Sequence, residues 1–189
     1  TLLQRTPPEA VRRFEINVTE ERVFSRLGAV LVASPDGHAI AYTTGQPGEE
    51  QRLVVRPLDR FQETTLVSGT DAAAPYHPFF SPDGSWLGYV TPGELKKISV
   101  TGGAPITLCQ VDRSRGATWG ADGSIVFSPS IFTGLSRVSS AGGEPEPLTE
   151  LDEEKGERSH RWPQWLPDGQ AVLFSSVSES ASSFEEGSI

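Results

Sequence analysis

Apolar and polar residues alternate along this chain in short runs, and the runs recur in groups of four. AVLVAS from Ala29, HAIAYTT from His38, RLVVRPL from Arg52 and TTLVSG from Thr64 form the first group. YHPFFS, SWLGYVT, LKKISV and PITLCQV form the second, and ATWGA, SIVFSP, LSRVSS and PEPLTEL the third. A fourth group stops after RWPQWL and QAVLFSSV. A period of two predicts half-buried strands, and no stretch between them carries a helical period. The chain is expected to be all-β.

Each group opens with the same hairpin, shown most fully by PFFSPDGSWLGYV from Pro78 to Val90. Proline presets φ, the Asp side chain bonds the backbone ahead of it, and Gly tolerates positive φ. The turn pairs are Asp36-Gly37, Asp83-Gly84, Asp122-Gly123 and Asp168-Gly169, at steps of 47, 39 and 46 residues. Several short strands per period of roughly 40–50 residues are the signature of a β-propeller. The predicted fold is therefore a partial β-propeller, about three and a half four-stranded blades of a six-to-eight-bladed ring.

The blades are placed at 29–69, 75–111, 117–151 and 161–177, the last incomplete. Residues 1–10 are polar and broken by proline, a linker by composition. Within 11–28, Val11 to Val18 alternates as an isolated strand of the kind that completes a last blade. The Ser/Glu-rich tail 178–189 has little to bury and is expected to be disordered. Both ends read as cuts, since Thr1 opens the chain without methionine and the tail breaks off partway through a repeat. An arc of this kind is expected to leave the outer faces of its first and last blades open, and so to self-associate.

Charge narrows the partners. A net charge of −9 and a pI near 4.8 exclude the basic footprint of a nucleic-acid surface and disfavour anionic membranes. No run of 18 apolar residues exists to span a bilayer. The single Cys109 permits no internal disulfide, and its alternation with Leu108 and Val111 marks it as a small buried hydrophobe.

Beyond the periodicity, the SPDG hairpin, the short third strand and the Gly102-Gly103 and Gly142-Gly143 turns resemble the TolB-like propeller repeat. VRPLD at 55–59, PFFSPDGSWLGYV at 78–90, LKKISVTGGAPITLC at 95–109 and SHRWPQWLPDGQAVLF at 159–174 are similar to one bacterial group. That group is the propeller region C-terminal to the catalytic domain and membrane segment of many serine/threonine protein kinases. The resemblance covers Val11 to Ser176. It implies a non-catalytic sensor or interaction module, in an extracytoplasmic part of a bacterial membrane protein, binding a protein or small ligand. Similar propellers also serve as periplasmic scaffolds and as gates of prolyl-oligopeptidase-like hydrolases. The kinase phosphate loop, Val-Ala-Ile-Lys strand, His-Arg-Asp loop and Asp-Phe-Gly are absent from this sequence, as is a Gly-x-Ser-x-Gly elbow. No catalytic residue, metal site or cofactor is assigned to the chain.

His38, His77 and His160 are too dispersed for a local metal motif. His77 and His160 are read as occupying equivalent loops ahead of a first strand, hydrogen-bonded there rather than ligating. The four turn aspartates are read as structural, one per hairpin. Trp86, Trp119, Trp162 and Trp165 are assigned to packing between blades. The acidic run from Glu150 to Glu157 is a solvated loop. The connections from a fourth strand to the next first strand, called D–A here, are long and varied. They carry Asp71, Tyr76, His77, Arg113, Arg115, His160 and Arg161, more than a turn requires, and this face is the candidate binding surface.

Overall fold

The computed structural model describes residues 31–45 and 48–178. The linker, the isolated strand and the tail beyond Ser178 lie outside the described residues. Three four-stranded antiparallel sheets and one two-stranded sheet follow in chain order. Blade 1 holds β1 (Leu31–Ala33), β2 (Ala39–Thr44), β3 (Gln51–Pro57) and β4 (Thr64–Gly69). Blade 2 holds β5 (Tyr76–Phe80), β6 (Trp86–Thr91), β7 (Glu94–Ser99) and β8 (Ile106–Gln110). Blade 3 holds β9 (Ala117–Trp119), β10 (Ser124–Phe127), β11 (Ser136–Ser139) and β12 (Glu146–Pro147). Blade 4 begins with β13 (Glu157–Trp165) and β14 (Val172–Ser178). This is an all-β partial propeller.

Each sheet meanders in sequence order, and the first strands converge on the axis: β5 packs on β1 and β2, β9 on β5, and β13 on β9 and β10. The core lies between blades. Ala41, Leu53 and Val55 of blade 1 meet Phe80, Leu87, Tyr89 and Ile98 of blade 2. Tyr76, Phe79, Val90, Leu95, Leu108 and Cys109 of blade 2 meet Ile125, Phe127 and Val138 of blade 3. Alternation along β2 sends Ile40 and Tyr42 to the other side of blade 1, where they are buried with Val54. On blade 4, by contrast, Leu173 is 48% exposed.

Two strands differ from the pattern-based limits. The fourth strand of blade 3 shrinks from PEPLTEL to Glu146–Pro147, since Pro147 has no N–H to extend the ladder. In blade 4, β13 starts at Glu157, ahead of Arg161, because Glu157 and Ser159 already pair with Ser178 and Val177 of β14.

The hairpin turns close on themselves. Ser81 Oγ donates to Asp83 Oδ1 at 2.5 Å and accepts from the Trp86 N–H at 2.9 Å, while Asp83 Oδ1 accepts the Ser85 N–H at 3.0 Å. Ser34, Asp36, His38 and Ala39 repeat this set in blade 1. Asp122 and Asp168 accept the N–H two residues on in blades 3 and 4. The glycines Gly37, Gly84, Gly123 and Gly169 all have positive φ, as the turn demands.

Candidate functional site

The D–A connections and the loops after each second strand share one face. Asp112, ahead of blade 3, donates its N–H to the Pro129 carbonyl at 2.8 Å, and His160 donates to that of Thr133 at 3.1 Å. The hairpin turns and the Gly-Gly turns occupy the opposite face, where Lys97 Nζ bridges blades by donating to the Ser140 carbonyl at 2.7 Å.

Among the described residues, four that are not glycine have positive φ: Asp71 (47°), His77 (51°), Arg113 (49°) and Trp162 (54°). All four belong to the D–A side. Two of them reveal a shared slot six residues ahead of the turn aspartate. His77 stands six before Asp83, Gly116 six before Asp122 and Trp162 six before Asp168, and Gly116 has φ of 97°. At this slot the pairing of β5 with β6 and of β13 with β14 shifts register, as a β-bulge does. His77 and His160 are therefore not equivalent. The counterpart of His77 is Trp162, and both histidines lie inside strands rather than in loops.

Burial divides the candidates. Asp71 and Arg113 are exposed and Arg115 is half-buried, whereas Tyr76, His77, His160 and Arg161 are buried. The His77 ring lies between those of Tyr76 and Trp162, with centroids at 4.8 and 5.1 Å. His160 is clasped by neighbours of blades 3 and 4. Its Nδ1 meets Thr149 Oγ1 at 2.7 Å and its Nε2 meets Glu157 Oε2 at 2.9 Å. Three hydrogen bonds, from the Asp152 N–H, Ser176 and His160, hold the Glu157 carboxyl down at about 2. That arrangement ties two blades together and points nothing outward.

One residue further from the turn, Tyr76, Arg115 and Arg161 share the next slot on three consecutive blades. The Trp162 N–H donates to the Arg115 carbonyl at 2.8 Å, which places these segments side by side. Burial pushes the Tyr76 hydroxyl up to about 12, so it stays protonated, a hydrogen-bond donor. Arg161 Nε donates to Ser159 Oγ at 2.7 Å. Burial, and then the like charges of Arg115 and Arg158, lower the pKa of Arg161. Arg158 in turn lies over the Phe132 ring at 4.9 Å.

Motif reading missed Arg158, Phe132, Gly116 and the slot of Trp162. Counting back from each turn aspartate would have aligned the last two.

The remaining candidates fall elsewhere. Asp36, Asp83 and Asp122 are held below the usual carboxylate range, each first by a serine hydroxyl: Ser34, Ser81 and Ser124. His38 is exposed beside Asp36 at 3.6 Å. Trp119 packs on Phe79 at 6.2 Å between blades, while Trp86 carries the Lys97 ammonium at 4.6 Å. Among the described residues no three His, Cys, Asp or Glu side chains converge. No helix among them is long and apolar enough to cross a membrane. A groove of about 420 Å³ lies on the hairpin face of blade 3, lined by Asp122, Arg137, Glu144 and Glu146, on the side opposite the D–A connections.

Solved structures share this arrangement. A protein assigned as TolB from Agrobacterium tumefaciens superposes with a TM-score of 0.66 at 18% identity, over 81% of this chain and 55% of that one. The chain has a TolB-like β-propeller fold. TolB from Acinetobacter baumannii gives 0.64 at 16% identity, over 80% of this chain and 39% of its own. Oligogalacturonate lyase from Vibrio parahaemolyticus gives 0.58 at 15%, over 81% and 47%. The chain thus spans about half the length of the structures it matches. No family model and no curated protein sequence matches it. A fold that carries both TolB and a lyase does not choose an activity, so function is argued from the site.

Proposed function

We propose that this TolB-like propeller is a non-catalytic interaction module that engages its partner through the D–A face. The observation that carries the reading is the confinement of Asp71, His77, Arg113 and Trp162, all in left-handed backbone, to that face. Such conformations cost about 1–3 kcal/mol each and gather where a fold holds side chains for use. The opposite face places glycines at its positive-φ positions and satisfies its turns internally.

The finer reading is the sensor end of a bacterial serine/threonine protein kinase, held outside the cytoplasm. It rests on the resemblance of 55–59, 78–90, 95–109 and 159–174 to kinase-linked propellers. The coding sequence upstream of Thr1 tests it: a kinase domain followed by about 20 apolar residues is expected. A cleavable signal peptide there would favour a periplasmic scaffold instead.

Photo-crosslinking tests the face. A crosslinking amino acid at Ala72, exposed on the D–A side, is expected to capture a partner in the native cell, while one at Thr101, exposed on the opposite turn, is not. Capture from Thr101 alone would overturn the assignment.

A further inference from the structure

Blade 1 buries a face that no described blade covers. Ile40 of β2 lies opposite Arg56 of β3, and Tyr42 opposite Val54, so these side chains share one face of the sheet. The other face, carrying Ala41, Leu53 and Val55, meets blade 2. Even so, Ile40 is 0% exposed, and Tyr42 and Val54 are each 1% exposed. Among the described residues the half-buried Leu58 is the one apolar neighbour packed against the three. A single leucine is too small to seal an isoleucine, a tyrosine and a valine standing side by side. Blade 4 shows what an uncovered face looks like. Leu173, on the opposite side of β14 from Phe174 and its His160 contact, is 48% exposed.

We propose that Val11 to Val18 of the same chain lies across Ile40, Tyr42 and Val54 and caps the first blade. Chain length and position single this stretch out. Thirty residues precede Leu31, which opens β1, the strand beside β2. Residues 19–30 can span up to about 40 Å at about 3.3 Å each, ample for a return over one sheet. Of the other stretches outside the described residues, 46–47 is two residues long and 179–189 leaves from blade 4, at the far end of the arc. Within VRRFEINV, Phe14, Ile16 and Val18 recur at every second position, an apolar row for an apolar face. Arg13, Glu15 and Asn17 form the alternate row and are left for solvent. A stack of repeats needs a polar outer surface at its ends, and this arrangement supplies one to blade 1. A further blade could seat there only by displacing the cap. The inference is independent of the D–A reading.

A photo-crosslinking amino acid in place of Phe14 in the whole chain tests it, with the attachment point read by peptide mass spectrometry. Attachment within β2 or β3 of the same molecule is expected. Attachment to blade 4 would overturn the proposal, since the stretch would then fasten the far end of the arc. A crosslinked dimer would overturn it too, because a second copy would then cover blade 1. So would attachment to none of the described residues. Hydroxyl-radical footprinting follows the face itself, with Tyr89, buried between blades 1 and 2, as the internal control. Tyr42 is expected to be protected in the native chain and labelled severalfold more in Phe14→Glu/Ile16→Glu, while Tyr89 stays protected in both. Unchanged protection of Tyr42 in that variant would sink the cap. Should Tyr89 be labelled as well, the variant has unfolded and the crosslink decides alone.

Discussion

The imidazole of His77 and the indole of Trp162 meet edge to face, centroids 5.1 Å apart, and so join blade 2 to blade 4 past the blade between them. Gly116 of blade 3 makes room. A Cβ there would lie 3.0 Å from Trp162 Cε3 and 3.2 Å from its Cα. Gly116→Ala adds this crowding to a φ of 97° and is expected to cost about 1–3 kcal/mol. Gly143→Ala, also at positive φ but in open space, is the control. A thermal melt comparing the two should show the larger drop, with altered tryptophan emission, for Gly116→Ala. Equal drops would mean that backbone strain alone is measured.

Gly88 serves Phe79 in the same way at ordinary φ. The two face each other across β5 and β6, and a Cβ on Gly88 would fall 2.0 Å from Phe79 Cζ. Gly88→Ala should destabilise by about 1–3 kcal/mol through overpacking. Phe79→Leu combined with it should cost less than the two single changes summed, a coupling read from urea midpoints. Strict additivity would show that the ring has moved away freely.

Acid should unfold the protein through its bonded carboxylates. Asp83, ordinarily 3.8, is held at about 2 by Ser81 and then by Ser85, and Glu157, ordinarily 4.5, is also held at about 2. Both pKa values are depressed by folding, so their stabilisation is complete above the unfolded values. It is lost as pH falls from roughly 4.5 towards 2. Urea midpoints over that range should fall steeply for the native chain and less steeply for Glu157→Gln. An unchanged slope in the variant would remove Glu157 from the account.

Cys109 is buried between blades 2 and 3, and burial, then the charge of Glu144, pushes its thiol up to about 11. At pH 8 little thiolate is present and none is presented to solvent. A disulfide reagent should label it only as fast as the blades open, with full reaction in denaturant. Prompt labelling of the folded protein would contradict the packing.

Among the described residues β14 pairs only with β13, leaving a seven-residue edge beside the exposed Leu173. Open apolar edges recruit other strands. Light scattering of the chain is expected to show self-association that Leu173→Lys reduces. A sharp monomer without the substitution would refute it.

The blades and their turns were legible in the sequence because their chemistry is local. Ser34 and Ser81 reach only to residues two and five further on, and Asp-Gly marks the place. The inner bulge was not legible, since neither histidine nor tryptophan is a residue whose identity signals the positive φ seen at His77 and Trp162. Gly116, which tolerates that backbone unaided, was the one residue in the slot to signal it. That the charges of Arg115 and Arg158 are felt at Arg161 depends on how sheets stack about the axis, and separations along the chain do not report it. The clasp of His160 by Thr149 and Glu157 was hidden for the opposite reason, because a solvated acidic run and a half-buried, hydrogen-bonded carboxylate look alike as letters.

The hairpin at Ser81 to Trp86 completes its hydrogen bonds without calling on any other blade. A unit whose folding instructions travel within it can be duplicated, and each copy is then free to drift. The 15–18% identity between this chain and propellers of the same shape is compatible with such a module, since few letters besides the turn are needed to specify it. Splicing a further copy of blade 2 between two D–A connections would, on this view, lengthen the arc without disturbing its neighbours.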